Sequence, residues 1–103
     1  MILNFIPMTV ALKKFGTTLT SRQSGKEALL AYEPVLKSVV ADETIIVDFE
    51  GVNTFSPSWG DEFLVPLYRR YGDRLVLQNT SNLSVQATFK ILEESNSITF
   101  PAA

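Results

Sequence analysis

Residues 44–63 read TIIVDFEGVNTFSPSWGDEF, and the fold turns on how that stretch is read. Its opening run, Thr44 to Phe49, is continuous and β-branched, which suits a central strand covered on both faces. Glu50-Gly51 ends the strand. Ser58 then starts a helix, with Asp61 three residues on as an imperfect capping box and Asp61 and Glu62 set against the positive end of the helix dipole. Trp59, Phe63, Leu64, Leu67, Tyr68 and Tyr71 make the apolar face of that helix, and Gly72 closes it. Pro66 falls inside the pattern and predicts a kink.

The flanking sequence repeats this strand-and-helix rhythm. Upstream, Leu29, Tyr32, Leu36, Val39 and Val40 recur on one helical face, with Ser21 or Thr20 as the cap. Pro34 lies within that helix and predicts a kink or two abutting pieces. Before it, Ile2, Leu3, Phe5 and Ile6, then Val10, Leu12 and Phe15, read as one bent strand or a small hairpin ending at Gly16. Pro7 cannot donate to a ladder and belongs at an edge or at the bend. Downstream, Arg74 to Gln78 reads as a second buried strand. The segment from Leu83 to Leu92 fits both periods, and the caps offered by Asn79-Thr80-Ser81-Asn82 decide it for helix. Ser97 to Phe100 reads as a short closing strand. Alternating strands and helices predict an α/β fold: a mixed, mostly parallel sheet of about four to five strands, joined by right-handed crossovers, with three main helices packed on it. The length of 103 residues fits a single domain over residues 1–103.

Composition removes whole classes of chemistry. With neither Cys nor His, the chain has no disulfide framework, no thiolate nucleophile, no Cys-ligated zinc and no imidazole-dependent triad. No apolar run approaches the roughly 20 residues of a membrane span. No signal-peptide pattern opens the chain, and the absent cysteines agree with a cytoplasmic home. Charge is unevenly spread within a net of −2. Asp42, Glu43, Asp48, Glu50, Asp61 and Glu62 fall in a window that has no Lys or Arg between Ser38 and Tyr68. The window either solvates the surface or presents one acidic end that steers a basic protein partner. The scattered basic residues make a poor nucleic-acid surface.

The block from Ile45 to Phe63 resembles the STAS-like family, small bacterial domains related to the anti-sigma factor antagonists, and within it the subgroup called DUF4325. Lys14-Phe15-Gly16 followed by Leu19, Ser21-Arg22 and Gly25 is similar to that family's upstream motif, and Asn79 after the third strand also fits. The resemblance covers roughly Val10 to Glu94. It implies a non-catalytic protein–protein interaction module of bacterial signalling or transcription regulation. In STAS relatives a serine at the turn before this helix is phosphorylated by a partner kinase, which switches binding. The matching positions here are Ser56 and Ser58, in Ser56-Pro57-Ser58-Trp59 where the antagonists have Asp-Ser-Ser-Gly. The implied partner is a kinase-like anti-sigma factor or a histidine-kinase-like ATPase.

Physical chemistry gives these positions their own meaning. A hydroxyl at a helix N-terminus faces free backbone N–H groups, so the fold tolerates a phosphate there, and that phosphate adds about −1.5 to −2 charges. The plainer role of Ser58 is an N-cap worth about 1 kcal/mol, with Ser56 a turn residue ahead of Pro57. Ser58 and Ser56 are the candidate phosphoacceptors that the resemblance implies. Phe55, Ser56, Ser58, Trp59, Asp61 and Glu62 are the candidate partner-binding surface, supported by Gly16, Arg22, Gly25 and Asp48. Trp59 either anchors a partner or packs inward with Phe63. Arg22 either receives an anion or pairs with Asp48 or Asp61. No catalytic residue, metal ligand or cofactor is expected.

One rival reading makes Asp48, Glu50 and Asp61 a metal- or phosphate-binding enzyme site, provided that they converge in a pocket. Another makes Lys13, Lys14, Arg69 and Arg70 the contact surface of a nucleic-acid accessory protein. Strand edges near the N-terminus or at Ser97–Phe100 offer pairing between two copies of the chain as a homodimer.

Overall fold

The computed structural model describes residues 7–39 and 43–101. In chain order they form β1 (Met8–Ala11), a 3-10 turn (Leu12–Phe15), β2 (Thr18–Leu19), α1 (Arg22–Leu36), β3 (Ile45–Asp48) and β4 (Thr54–Phe55). There follow α2 (Pro57–Tyr71), a second 3-10 turn (Gly72–Arg74), β5 (Leu75–Gln78) and α3 (Leu83–Asn96). The α/β class, the parallel pairing and the three helices are as the sequence predicts. The strands divide into two sheets, one of order β1-β3-β5 and a smaller pair β2-β4. Val47 lies opposite Val10 and Leu77, and Leu19 lies opposite Phe55.

Burial shows how the layers pack. Val10, Ile45, Val47, Leu75 and Leu77 point into one core with Tyr32, Leu36, Phe63, Leu67, Val85 and Leu92 from the helices. The other sheet face is only partly covered: Ile46 and Val76 are half-buried, while Thr9 and Gln78 are exposed. The run around Ile45 is thus not covered on both faces, as its composition predicted. All three helices pack on one side, and the β-branched residues between the core positions lie in a partly wetted surface that also suits them.

Local chemistry sets the helix ends. The Ser21 hydroxyl accepts from Ser24 N at 3.0 Å, and the Asn82 side chain accepts from both Ser84 N and Val85 N. Both caps fall where the sequence places them. Pro34 and Pro66 break neither α1 nor α2, each of which runs for 15 residues. Pro34 is the third residue from the end of α1, so it costs one hydrogen bond in a turn that is closing anyway.

Two further expectations change. Val10 belongs to β1 while Leu12 and Phe15 form the 3-10 turn, so the described part of that segment, residues 7–16, is a short strand followed by a turn. Ile2, Leu3, Phe5, Ile6, Val40 and Asp42 lie outside the described residues. Ser97 to Phe100 is not a strand and offers no sheet edge. Ser97 adopts the left-handed conformation that ends α3, and Phe100 folds back onto the rings of Tyr68 and Phe89 at 5.5 Å.

Candidate functional site

The chain leaves β4 and enters α2 through Phe55-Ser56-Pro57-Ser58. Ser56, not Ser58, is the N-cap: its φ and ψ are extended, and its hydroxyl accepts from Trp59 N at 3.4 Å. Pro57 then occupies the first helical position, where a missing N–H costs nothing. The same Ser56 hydroxyl donates to Thr20 O at 2.7 Å, and Ser56 N donates to Leu19 O at 2.9 Å. Its oxygen is thereby committed to two partners. Ser58 sits at the second helical position, half-buried, and its hydroxyl makes no hydrogen bond among the described residues. With the cap at Ser56, Asp61 lies beyond the first turn and forms no capping box.

The two aromatic residues of the predicted contact surface face inward. Phe55 is 1% exposed and Trp59 is 0% exposed. Trp59 stacks on Phe63 at 4.8 Å and lies about 6 Å from the rings of Phe15 and Phe55. Phe55 packs edge-on to Phe49 and Phe89, and its carbonyl accepts from the buried Thr88 hydroxyl at 2.6 Å. Neither ring is available as a partner's anchor, because burying it contributes to the core of this chain instead. What remains of that surface is polar. Trp59 Nε1 finds no hydrogen-bond partner in this aromatic nest.

Asp61 and Glu62 are half-buried and cross-braced. Arg22, the first residue of α1, donates from Nη1 to Glu62 Oε1 at 3.1 Å and from Nη2 to Asp61 Oδ2 at 3.3 Å. The other Asp61 oxygen accepts from Asn96 Nδ2 at 3.1 Å, so the carboxylate bridges α1 and α3. Of the two partners foreseen for Arg22, Asp61 is realised and Asp48 is not. Asp48, at the end of β3, instead accepts from Asn79 Nδ2 at 2.8 Å and from Glu50 N at 3.0 Å. These two bonds, the Asn79 one foremost, with the charge of Lys13, hold its carboxyl below the usual carboxylate range.

Two glycines of the upstream motif act through the backbone. Gly16 has φ 128°, a conformation that a side chain resists, and it turns the chain from the 3-10 turn into β2. Gly25 lets α1 lie directly on α2: a Cβ there would stand 2.7 Å from Trp59 O and 3.3 Å from Glu62 Cβ.

The carboxylates of the rival enzyme reading do not converge. Asp48 is tied to Asn79, Asp61 is tied to Arg22 and Asn96, and no group of three Asp or Glu side chains among the described residues could hold a metal. Nor do the described residues enclose a pocket around them. Of the basic residues, Arg70 makes a forked pair with Glu33, and Lys14 lies 4.6 Å from the centre of the Tyr32 ring. No described helix is long and apolar enough to cross a membrane. Asn96 and the Thr20 carbonyl are site partners that sequence reading missed. Their contacts lie 35 and 36 positions away along the chain, and no local pattern encodes them.

A family model described as a STAS-like domain of unknown function, DUF4325, matches residues 32–85, just over half of the chain. The matched span takes in Asp48, the turn, all of α2 and Asn79, but stops short of Gly16, Arg22 and Gly25. No curated protein and no solved structure matches.

Proposed function

Because the chain belongs to the family of STAS-like domains of unknown function DUF4325, we propose that it is a non-catalytic protein-interaction module of bacterial signalling or transcription regulation, switched by phosphorylation of Ser58. The observation that carries this reading is the contrast between the two serines. Ser56 is held by Thr20 O and Trp59 N, whereas the Ser58 hydroxyl is uncommitted at the N-terminus of a 15-residue helix. Pro57 carries no N–H and the Trp59 N–H is held by Ser56, so a phosphate on Ser58 Oγ meets the N–H of Ser58 itself and the positive helix end, and it is accommodated without unfolding the helix.

The donor is a nucleoside triphosphate held by a kinase-like partner, such as an anti-sigma factor or a histidine-kinase-like ATPase. Ser58 Oγ attacks the γ-phosphorus, its proton passes to a base of the partner, and the bond to the bridging oxygen breaks as the nucleoside diphosphate leaves. The partner surface is the polar end of α2, with Ser58, Asp61 and Glu62. A new charge of about −2 on that surface obliges the docked partner to answer it with Arg or Lys or to let go.

The test is incubation with ATP and a kinase-like ATPase from the native cell, followed by intact mass and pull-down. One phosphoryl group should be gained by the wild type and by Ser56→Ala, and none by Ser58→Ala. Ser58→Asp should change what is captured from the native cell. A chain that is never modified, and whose partners ignore Ser58→Asp, refutes the reading.

A further inference from the structure

We infer that Arg22 is the cation that receives a phosphate on Ser58, leaving its two carboxylate partners to do so and thereby uncovering Asp61 and Glu62. The inference rests on the phosphoacceptor role proposed for Ser58, and it adds the residue that converts the modification into a change of surface.

Two contacts bring the first turn of α1 level with the first turn of α2. The Ser56 hydroxyl reaches Thr20 O, which joins the approach to one helix to the cap of the other. One turn further in, Gly25 stands against Trp59 O and Glu62 Cβ. Arg22 lies between these contacts on α1, as Ser58 does on α2. On α2, Ser58, Asp61 and Glu62 occupy positions i, i+3 and i+4, which form one stripe of the helix surface. The guanidinium already spans the last two of these, and its side chain is 55% exposed, so it can swing one turn towards the helix start.

The exchange is favoured by charge and shape. Exposed pairs between one carboxylate and one guanidinium are weak. A phosphate offers about twice the charge and three acceptor oxygens, which match the guanidinium fork. Asp61 keeps its bond from Asn96, so α2 and α3 stay joined. The local sum goes from about −1, two carboxylates with Arg22, to about −3 with the phosphate added. More of that change appears at the surface because the guanidinium no longer covers Asp61 and Glu62.

The experiment uses the full chain with phosphoserine encoded at position 58, so that it needs no kinase. The second proton of the phosphate is titrated by phosphorus NMR, with Arg22 present and in Arg22→Gln. With Arg22 the titration should lie about 0.5 to 1 pH unit lower, because an adjacent cation favours the dianion. Arg22→Lys should recover part of the difference. Coincident phosphate titrations in the Arg22 and Arg22→Gln chains overturn the inference and leave the phosphoacceptor assignment standing. A kinase that never modifies Ser58 overturns the phosphoacceptor assignment, whatever the two phosphate titrations show.

Discussion

At Ser56 and Ser58, two hydroxyls separated by one proline do different work because one of them is used by the fold. Replacing Ser56 by Ala removes the cap of α2 and the bond to Thr20 O, and should cost about 1–2 kcal/mol in denaturant unfolding. Ser58→Ala removes no bond and should stay within about 0.5 kcal/mol of wild type. Equal losses in the two variants would contradict the assignment of the cap. Asp48 permits a test by pH. Its carboxyl is depressed in the folded chain by Asn79 first and by Glu50 N second, so the stabilisation is present above the unfolded value near 3.8 and is lost as pH falls through the lower folded value. Asn79 has φ 57°, so Asn79→Gly removes the side-chain bond while keeping that backbone conformation accessible. The gap in stability between wild type and Asn79→Gly should be full above about pH 5 and should shrink below about pH 4. A gap independent of pH would show that Asp48 is not the partner that matters.

At the scale of elements, two glycines set how closely the helices approach, and they should fail in different ways. At Gly25 the obstacle to a Cβ is the Trp59 backbone at 2.7 Å, which cannot rotate aside. Gly25→Ala must push α1 off α2 and should cost about 1–3 kcal/mol. Truncating Glu62 should not restore it. At Gly60 a Cβ would meet Leu92 Cδ1 at 2.6 Å and Phe55 Cζ at 3.1 Å, both of them side-chain atoms. Gly60→Ala is therefore open to rescue: in a double-mutant cycle with Leu92→Ala the double mutant should cost less than the two single mutants added together. Strict additivity at Gly60, or rescue at Gly25, would place the helix contact elsewhere. The Arg22 brace between α1 and α2 is exposed and weak by comparison, so the close approach at Gly25 and the aromatic nest around Trp59 hold these helices together.

Taken as a whole, the molecule draws every helix and both sheets into one buried cluster, from Val10 on β1 to Leu92 on α3. Such an arrangement should unfold as a unit. Trp59, the only tryptophan, reports on the centre of that cluster, while far-ultraviolet circular dichroism reports on the helices. The two signals should give coincident denaturation curves. Separate transitions would mean that the chain is not one domain. The half-covered sheet face and the polar end of α2 lie outside this cluster, and the second of them carries the proposed switch.

Much of this arrangement is written locally. The strand within the run from Thr44 to Phe49, helix caps at Ser21 or Thr20 and within Asn79 to Asn82, and the end of a helix at Gly72 were legible, because backbone preferences and side-chain caps act within a few residues. The cap at Ser56 was also legible, since a proline following a serine marks the first helical position, although the pattern of Asp61 and Glu62 points to Ser58. Three-dimensional packing alone decided the rest. Whether Trp59 faces water or core, whether Arg22 meets Asp48 or Asp61 and Glu62, and which serine keeps a free hydroxyl all depend on residues some 30 to 40 positions away. Those contacts form only when α1, α2 and α3 are laid side by side on one face of the sheet, and no short stretch of sequence contains both halves of any of them.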